Sequence, residues 1–250
     1  MTGLLLRNEL RWSWRTRRLV GLLAMWATFG FSGPLLAYLL PSLAEETGGA
    51  VPPVVPSDGI AFYLGNAVQI GLLATVLAFM GVLARERSRG TLAFLRVSPV
   101  RPRDIVVAKL TLVTILTAGG YLLGHAFAWY YSVLLLGHLP ELATLGGAVC
   151  GALYFVVLAV VAAAGGAGGS QGPGVFAALG AAVAVPILGV LPVVGDRVAP
   201  FLPSELFGAV DGLPRGAVEA GDLILPTLVS VVIIAGAAAL AIRTIGRKEL

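Results

Sequence analysis

The sequence predicts an all-α integral membrane protein: six transmembrane helices, an N-terminal interfacial helix and both termini in the cytoplasm. Three observations predict it. Hydrophobic residues make up 58% of the chain and charged ones only 12%, with a mean hydropathy of +0.92, whereas a soluble domain carries about 25% charged residues. The apolar residues fall into long runs. The basic residues gather beside those runs rather than within them. The one cysteine, Cys150, lies in an apolar run, which excludes a disulfide framework and any multi-cysteine metal site. Abundant glycine and alanine suit close helix packing in lipid, where small residues let backbones approach. The pI near 9.6 is not a nucleic-acid signal, because basic residues flanking spans set topology and meet anionic headgroups.

The N-terminal segment, 4–18, predicts a helix lying in the membrane interface. At 100° per residue, Arg7, Arg11, Arg15 and Arg18 line up at i, i+4, i+8 and i+11. Leu6, Leu10 and Trp14 form a neighbouring stripe, widened by Leu5 and Trp12. A basic stripe beside Leu and Trp places arginines at lipid phosphates and the cytoplasm. The plainer alternative is a cytoplasmic extension of the first span with positive-inside anchors.

A membrane-crossing helix needs roughly 20 apolar residues at about 1.5 Å each. The expected spans are 19–40, 61–84, 105–136, 142–164, 175–194 and 223–242, in a single transmembrane unit over 1–250. The first run is too long for a signal peptide and lacks a small-residue cleavage site, so it reads as a retained span. The third is longer than one span needs; it tilts or begins in the cytoplasm, and Gly119-Gly120 predict a kink. Between spans one and two, Pro52, Pro53 and Pro56 predict a semi-rigid connector. Between spans five and six, 195–222 interleaves Pro200, Pro203 and Pro214 with Phe201, Leu202, Leu206 and Phe207. That mixture predicts short half-helices dipping back into the outer leaflet.

Charge sets the orientation. With both termini inside, fifteen of the seventeen basic residues fall on the inner side, and only Arg197 and Arg215 lie outside. The segment 85–109 alone holds seven: Arg85, Arg87, Arg89, Arg96, Arg101, Arg103 and Lys109. Gly90 supplies a turn, and Thr91 can cap a short helix through Leu92, Ala93, Phe94, Leu95 and Arg96. Pro99 and Pro102 stop that helix, and Asp104 can cap the next span. Leu92, Phe94 and Leu95 are then available to dock, ringed by arginines.

These residues carry a resemblance. The run E-R-S-R-G-T-L-A-F-L-R-V-S-P-V-R-P-R-D-I-V-V-A-K resembles the first cytoplasmic loop of ABC-2 type permeases, the membrane subunits of ATP-binding-cassette exporters. Glu86, Gly90, Thr91, Leu92, Leu95, Pro99, Arg101 and Lys109 match the pattern, and the expected topology matches over the whole chain. The resemblance implies that 85–104 is a coupling helix seated in a groove of a cytoplasmic ATPase subunit, with Phe94, Arg96 and Arg103 on the same loop. It implies a second permease copy or paralogue as partner, contact with membrane lipids, and a multi-pass location in the cell membrane of a bacterium. ATP and Mg would sit on the partner ATPase. This chain would carry no cofactor and no catalytic residue, and 195–222 would close the exit of the path.

Absences agree with this expectation independently. A Walker loop needs Gly-Lys-Ser/Thr, but the only lysines, Lys109 and Lys248, follow Ala108 and Arg247. No span holds a carboxylate, arginine or lysine at its middle, where ion-coupled transporters place their relays. Uphill transport would then draw on another subunit. The uncharged spans favour an apolar or amphipathic substrate such as a drug or lipid, although the resembling family also handles polymers and ions.

Three local patterns read otherwise. Gly168 to Gly172 matches G-x-S-x-G, but a nucleophile elbow needs a strand–turn–helix, and here the run joins two spans. An intramembrane serine protease would need a histidine within reach of Ser170, whereas His138 belongs at the other membrane surface and His125 is part of a span away. His125 is the one deep titratable group besides tyrosines, which makes it a candidate pathway residue; a neutral histidine bonded to a neighbouring helix is the structural alternative. Two histidines and one cysteine make no metal site. The rival function is a non-transporting scaffold or sensor whose basic loop binds a regulatory protein.

Overall fold

Helix carries nearly all of the described chain, and no strand occurs among the described residues. The computed structural model describes residues 2–49, 52–84, 101–168, 172–173, 176–177, 179–180 and 195–247. In chain order the helices are α1 (Thr2–Arg15), α2 (Arg18–Glu46), α3 (Pro56–Phe79), α4 (Pro102–Leu135), α5 (Glu141–Gly165), α6 (Ser204–Gly212) and α7 (Ile224–Arg247). Five of them, α2 to α5 and α7, lie within stretches long and apolar enough to cross a membrane. The expected fifth span, 175–194, falls for the most part outside the described residues.

The middle of the bundle is α4, which packs against α1, α2, α3, α5 and α7. Small residues set how closely these helices approach. A Cβ on Gly124 would stand 2.6 Å from the Trp26 carbonyl oxygen, so at that crossing α2 lies directly on the backbone of α4. Gly33 lies as tightly against α3, where a Cβ would be 2.6 Å from the Tyr63 nitrogen. Such contacts need glycine on the interface, the usual device where lipid gives helices no hydrophobic drive to associate.

Trp26 fills the junction so made. Its indole lies over Gly120 of α4 and Gly71 of α3, where added Cβ atoms would come within 2.7 and 2.8 Å of the ring. Tyr121 and Phe155 meet it edge-on at centroid separations of 5.4 and 5.2 Å, and they stack on each other at 5.0 Å. Edge-to-face and offset arrangements match the quadrupoles of the rings. In α3 the backbone widens to a π-helical turn at Ala67–Gly71. That turn ends on the glycine that faces the indole.

Two local expectations change. The helix α4 runs unbroken through Gly119-Gly120; the pair marks the seat of the Trp26 ring, not a break. Arg101, with extended backbone, is the N-cap of α4, Pro102 follows it in the first turn, and Asp104 lies inside that turn. Proline suits this position because its missing N–H would be unbonded there anyway, and Asp104 still offers its charge to the helix N-terminus.

The connector 195–222 is helical in short pieces: a single turn at Gly195–Val198, 3-10 turns at Ala199–Phe201 and Ala220–Leu223, and α6 between them. The last of these lies against α5, where a Cβ on Gly147 would be 2.8 Å from the Val210 carbonyl oxygen.

Candidate functional site

The expected coupling residues Glu86, Gly90, Thr91, Leu92, Phe94, Leu95, Arg96 and Pro99 lie outside the described residues, as does Ser170. Arg101 and Arg103 are described. Both are exposed at the start of α4, and Arg103 Nε is 3.8 Å from Asp104. The site can therefore be built from where this segment joins the bundle.

At that end α1 is amphipathic with three faces. Arg7, Arg11 and Arg15 are exposed, and so is Trp14, at 62%. Leu6 and Leu10 instead pack on the apolar cluster around Val106, Leu110 and Val113 of α4. Trp14 thus parts from the leucine stripe expected for it: the leucines meet the bundle and the tryptophan faces outward. Ser13 is buried on the leucine face, and Glu9 belongs to it too. Arg17, at φ 55°, turns the chain from α1 into α2. Arg18 begins α2, and its side chain is outside the described residues.

Glu9 has a partner. Its Oε1 accepts a hydrogen bond of 2.9 Å from Nζ of Lys109, which is only 5% exposed. Lys109, read from sequence as the last residue of the basic segment, is thus the buried lysine that ties α1 to α4. The signal was present: Glu9 is the sole acid before Glu45, and it falls on the leucine face of a basic helix. A carboxylate there needs a cation, because an isolated buried charge is strongly disfavoured.

Beside this pair, α1, α2, α3 and α4 enclose a half-open cleft of about 780 Å³. Asn8, Glu9 and Lys109 line one part of it, while Leu22, Leu112 and Leu116 line another.

The interior holds a second arrangement. Thr117, Tyr121, His125, Trp129 and Ser132 recur along one side of α4, and each carries a buried side-chain polar atom that meets no hydrogen-bond partner among the described residues. His125 sits between the rings of Tyr63 and Tyr121, at 5.9 and 6.1 Å. The Thr144 backbone adjoins it without reaching hydrogen-bond geometry to either ring nitrogen. Beside it, Tyr63 Oη of α3 donates to the Tyr121 carbonyl at 3.0 Å. His138 is exposed beyond the far end of α4.

The opposite end is tied by Arg215. Its guanidinium donates to Asp58 at 2.8 Å and bridges to Asp211 at 2.7 Å, joining the turn after α6 to the start of α3. These two bonds, Asp211 foremost, hold the Arg215 pKa above its already high value. Asp58 also accepts from the Val55 N–H at 2.8 Å, which fixes the first turn of α3. Glu205 is exposed at the start of α6, and the partial burial of its carboxyl pushes its pKa above the ordinary value.

No family model and no curated protein matches the chain. Among the described residues no group of three or more His, Cys, Asp or Glu side chains is placed to hold a metal.

Proposed function

We propose that this chain is the permease subunit of an ATP-driven exporter of the ABC-2 type. It pairs with a second permease and couples to a separate cytoplasmic ATPase through 85–104. The observation that carries this reading is the pattern Glu86, Gly90, Thr91, Leu92, Leu95, Pro99, Arg101 and Lys109 between the second and third spans. Two structural facts support it. Lys109 is buried against Glu9, so a push on the segment before α4 reaches α1 and the spans together. Gln69, at mid-length in α3 and within its π-helical turn, is exposed. An amide facing outward at that depth favours a protein neighbour over lipid, and a second copy brings the matching amide.

In this reading the α1 end is cytoplasmic, ATP hydrolysis resides on the partner, and the substrate passes between the two permeases. The experiment is transport by Glu86→Arg and Gly90→Pro chains whose membrane insertion is verified. Both should lose export. Undiminished export by both would remove the coupling assignment.

A further inference from the structure

The cleft beside the Glu9–Lys109 pair belongs to none of the roles proposed so far, and its lining has a definite chemistry. Its polar part is the Glu9–Lys109 ion pair itself, with Glu9 the more exposed partner, next to the Asn8 amide. Its other part is apolar, with Leu22 and Met25 from α2 facing Leu112 and Leu116 from α4. Small residues hold the space open: a Cβ added to Gly21 would meet nothing within 4 Å, and Ala74 and Ala78 line the α3 side. Leu77, on the same wall, is 45% exposed, so the cleft opens sideways at the perimeter of the bundle. The volume, about 780 Å³, lies in the range of roughly 300–1,000 Å³ that encloses organic ligands.

We propose that this cleft binds one zwitterionic glycerophospholipid bearing a primary ammonium, its phosphate toward Lys109, its ammonium toward Glu9 and one acyl chain between α2, α3 and α4. The physical case has three parts. An apolar pocket at the level of a span is poorly filled by water, and the neighbouring bilayer supplies chains that fill it at no cost in hydration. A headgroup carrying both signs complements a lining that carries both signs, whereas an anionic headgroup would leave its charge facing Glu9. An ammonium with N–H donors can hydrogen-bond a carboxylate, which a quaternary ammonium cannot. The exposed arginines of α1 lie off this lining, so the cleft is distinct from their attraction to anionic surfaces. The inference depends on the membrane-embedded fold and is independent of any ATPase.

The test is native mass spectrometry of the full chain purified in mild detergent. It is followed by rebinding after delipidation, with phosphatidylethanolamine, phosphatidylcholine and phosphatidylglycerol compared. The wild type should retain one phosphatidylethanolamine and prefer it on rebinding. Gly21→Leu and Ala78→Leu, which place side chains in the cleft, should each weaken rebinding about tenfold, roughly 1.4 kcal/mol. Glu9→Gln should erase the preference for ethanolamine over choline. Circular dichroism and gel filtration matching wild type establish that the variants fold. Equal retention by the two filled-cleft variants, a preference for phosphatidylglycerol, or no retained lipid in the wild type would each overturn the proposal. Loss of ATPase co-purification alone would not bear on it.

Discussion

Glu9 and Lys109 are one hundred positions apart in the chain, yet Oε1 of one and Nζ of the other lie 2.9 Å apart. The pair links the helix before the first crossing to the helix that follows the basic segment. Breaking a buried pair by removing one partner strands the other charge, which is far costlier than losing both. Lys109 is buried but the Glu9 side chain keeps 27% of its exposure, so Lys109→Met should destabilise the chain by about 1.5–3 kcal/mol, the range of a hydrogen bond to a charged group, and adding Glu9→Gln should recover part of that loss. Thermal unfolding of the two variants in one detergent checks this. With Glu9→Gln alone measured as the third corner of the cycle, single losses that simply add in the double variant would mean that the pair carries no coupling.

Neighbouring glycines in α4 should behave oppositely. A Cβ on Gly119 meets nothing within 4 Å, whereas one on Gly120 comes within 2.7 Å of the Trp26 ring. Gly119→Ala should be neutral or stabilising by up to ~1 kcal/mol, since alanine costs less to order in a helix. Gly120→Ala should destabilise by about 1–3 kcal/mol through overpacking. Melting temperatures of the two variants decide it.

His125 places two unpartnered ring nitrogens among Tyr63, Tyr121 and neighbouring apolar groups. Replacing an unsatisfied buried polar group by an apolar one of similar shape relieves a penalty of about 1–3 kcal/mol. His125→Phe should raise the melting temperature if the ring serves packing alone. Lost transport in a chain of normal or raised stability would place His125 on the substrate path.

The Arg215 bridges to Asp58 and Asp211 are partly exposed, so each contributes at the modest level of surface pairs, about 0.2–1 kcal/mol. Arg215→Ala should speed hydrogen exchange at the start of α3, and high salt should mimic part of the effect. Unchanged exchange there would show that the bridges do not hold that turn.

At Glu205 the folded-state pKa lies above the ordinary value of 4.5. Its contribution to stability is therefore fully present below 4.5 and is lost as pH rises through the folded value. Glu205→Gln should flatten the pH dependence of stability just above 4.5; an unaltered profile would show that this carboxyl does not titrate differently on folding.

The spans were legible because a membrane helix is encoded by composition over some twenty residues, and α2, α3, α4, α5 and α7 follow the apolar runs closely. Pairings were not. Whether Gly120 bends a helix or seats an indole depends on Trp26, almost a hundred residues earlier, and periodicity carries no such information. The same holds for Trp14, which shares a stripe with Leu6 and Leu10 on a helical projection but faces outward, because α4 covers only the leucines. Glu9 was legible in principle, as an acid on the apolar side of a basic helix, although its partner was not.

The proposed function stands on coupling of this membrane chain to an ATPase through 85–104. Purification of the tagged chain from its native membranes in mild detergent, with identification of co-purifying proteins and an ATPase assay, tests it most directly. Coupling through 85–104 predicts a stoichiometric ATPase subunit that is lost on Glu86→Arg. A wild-type chain that purifies alone, or with a partner that hydrolyses no ATP, would contradict it.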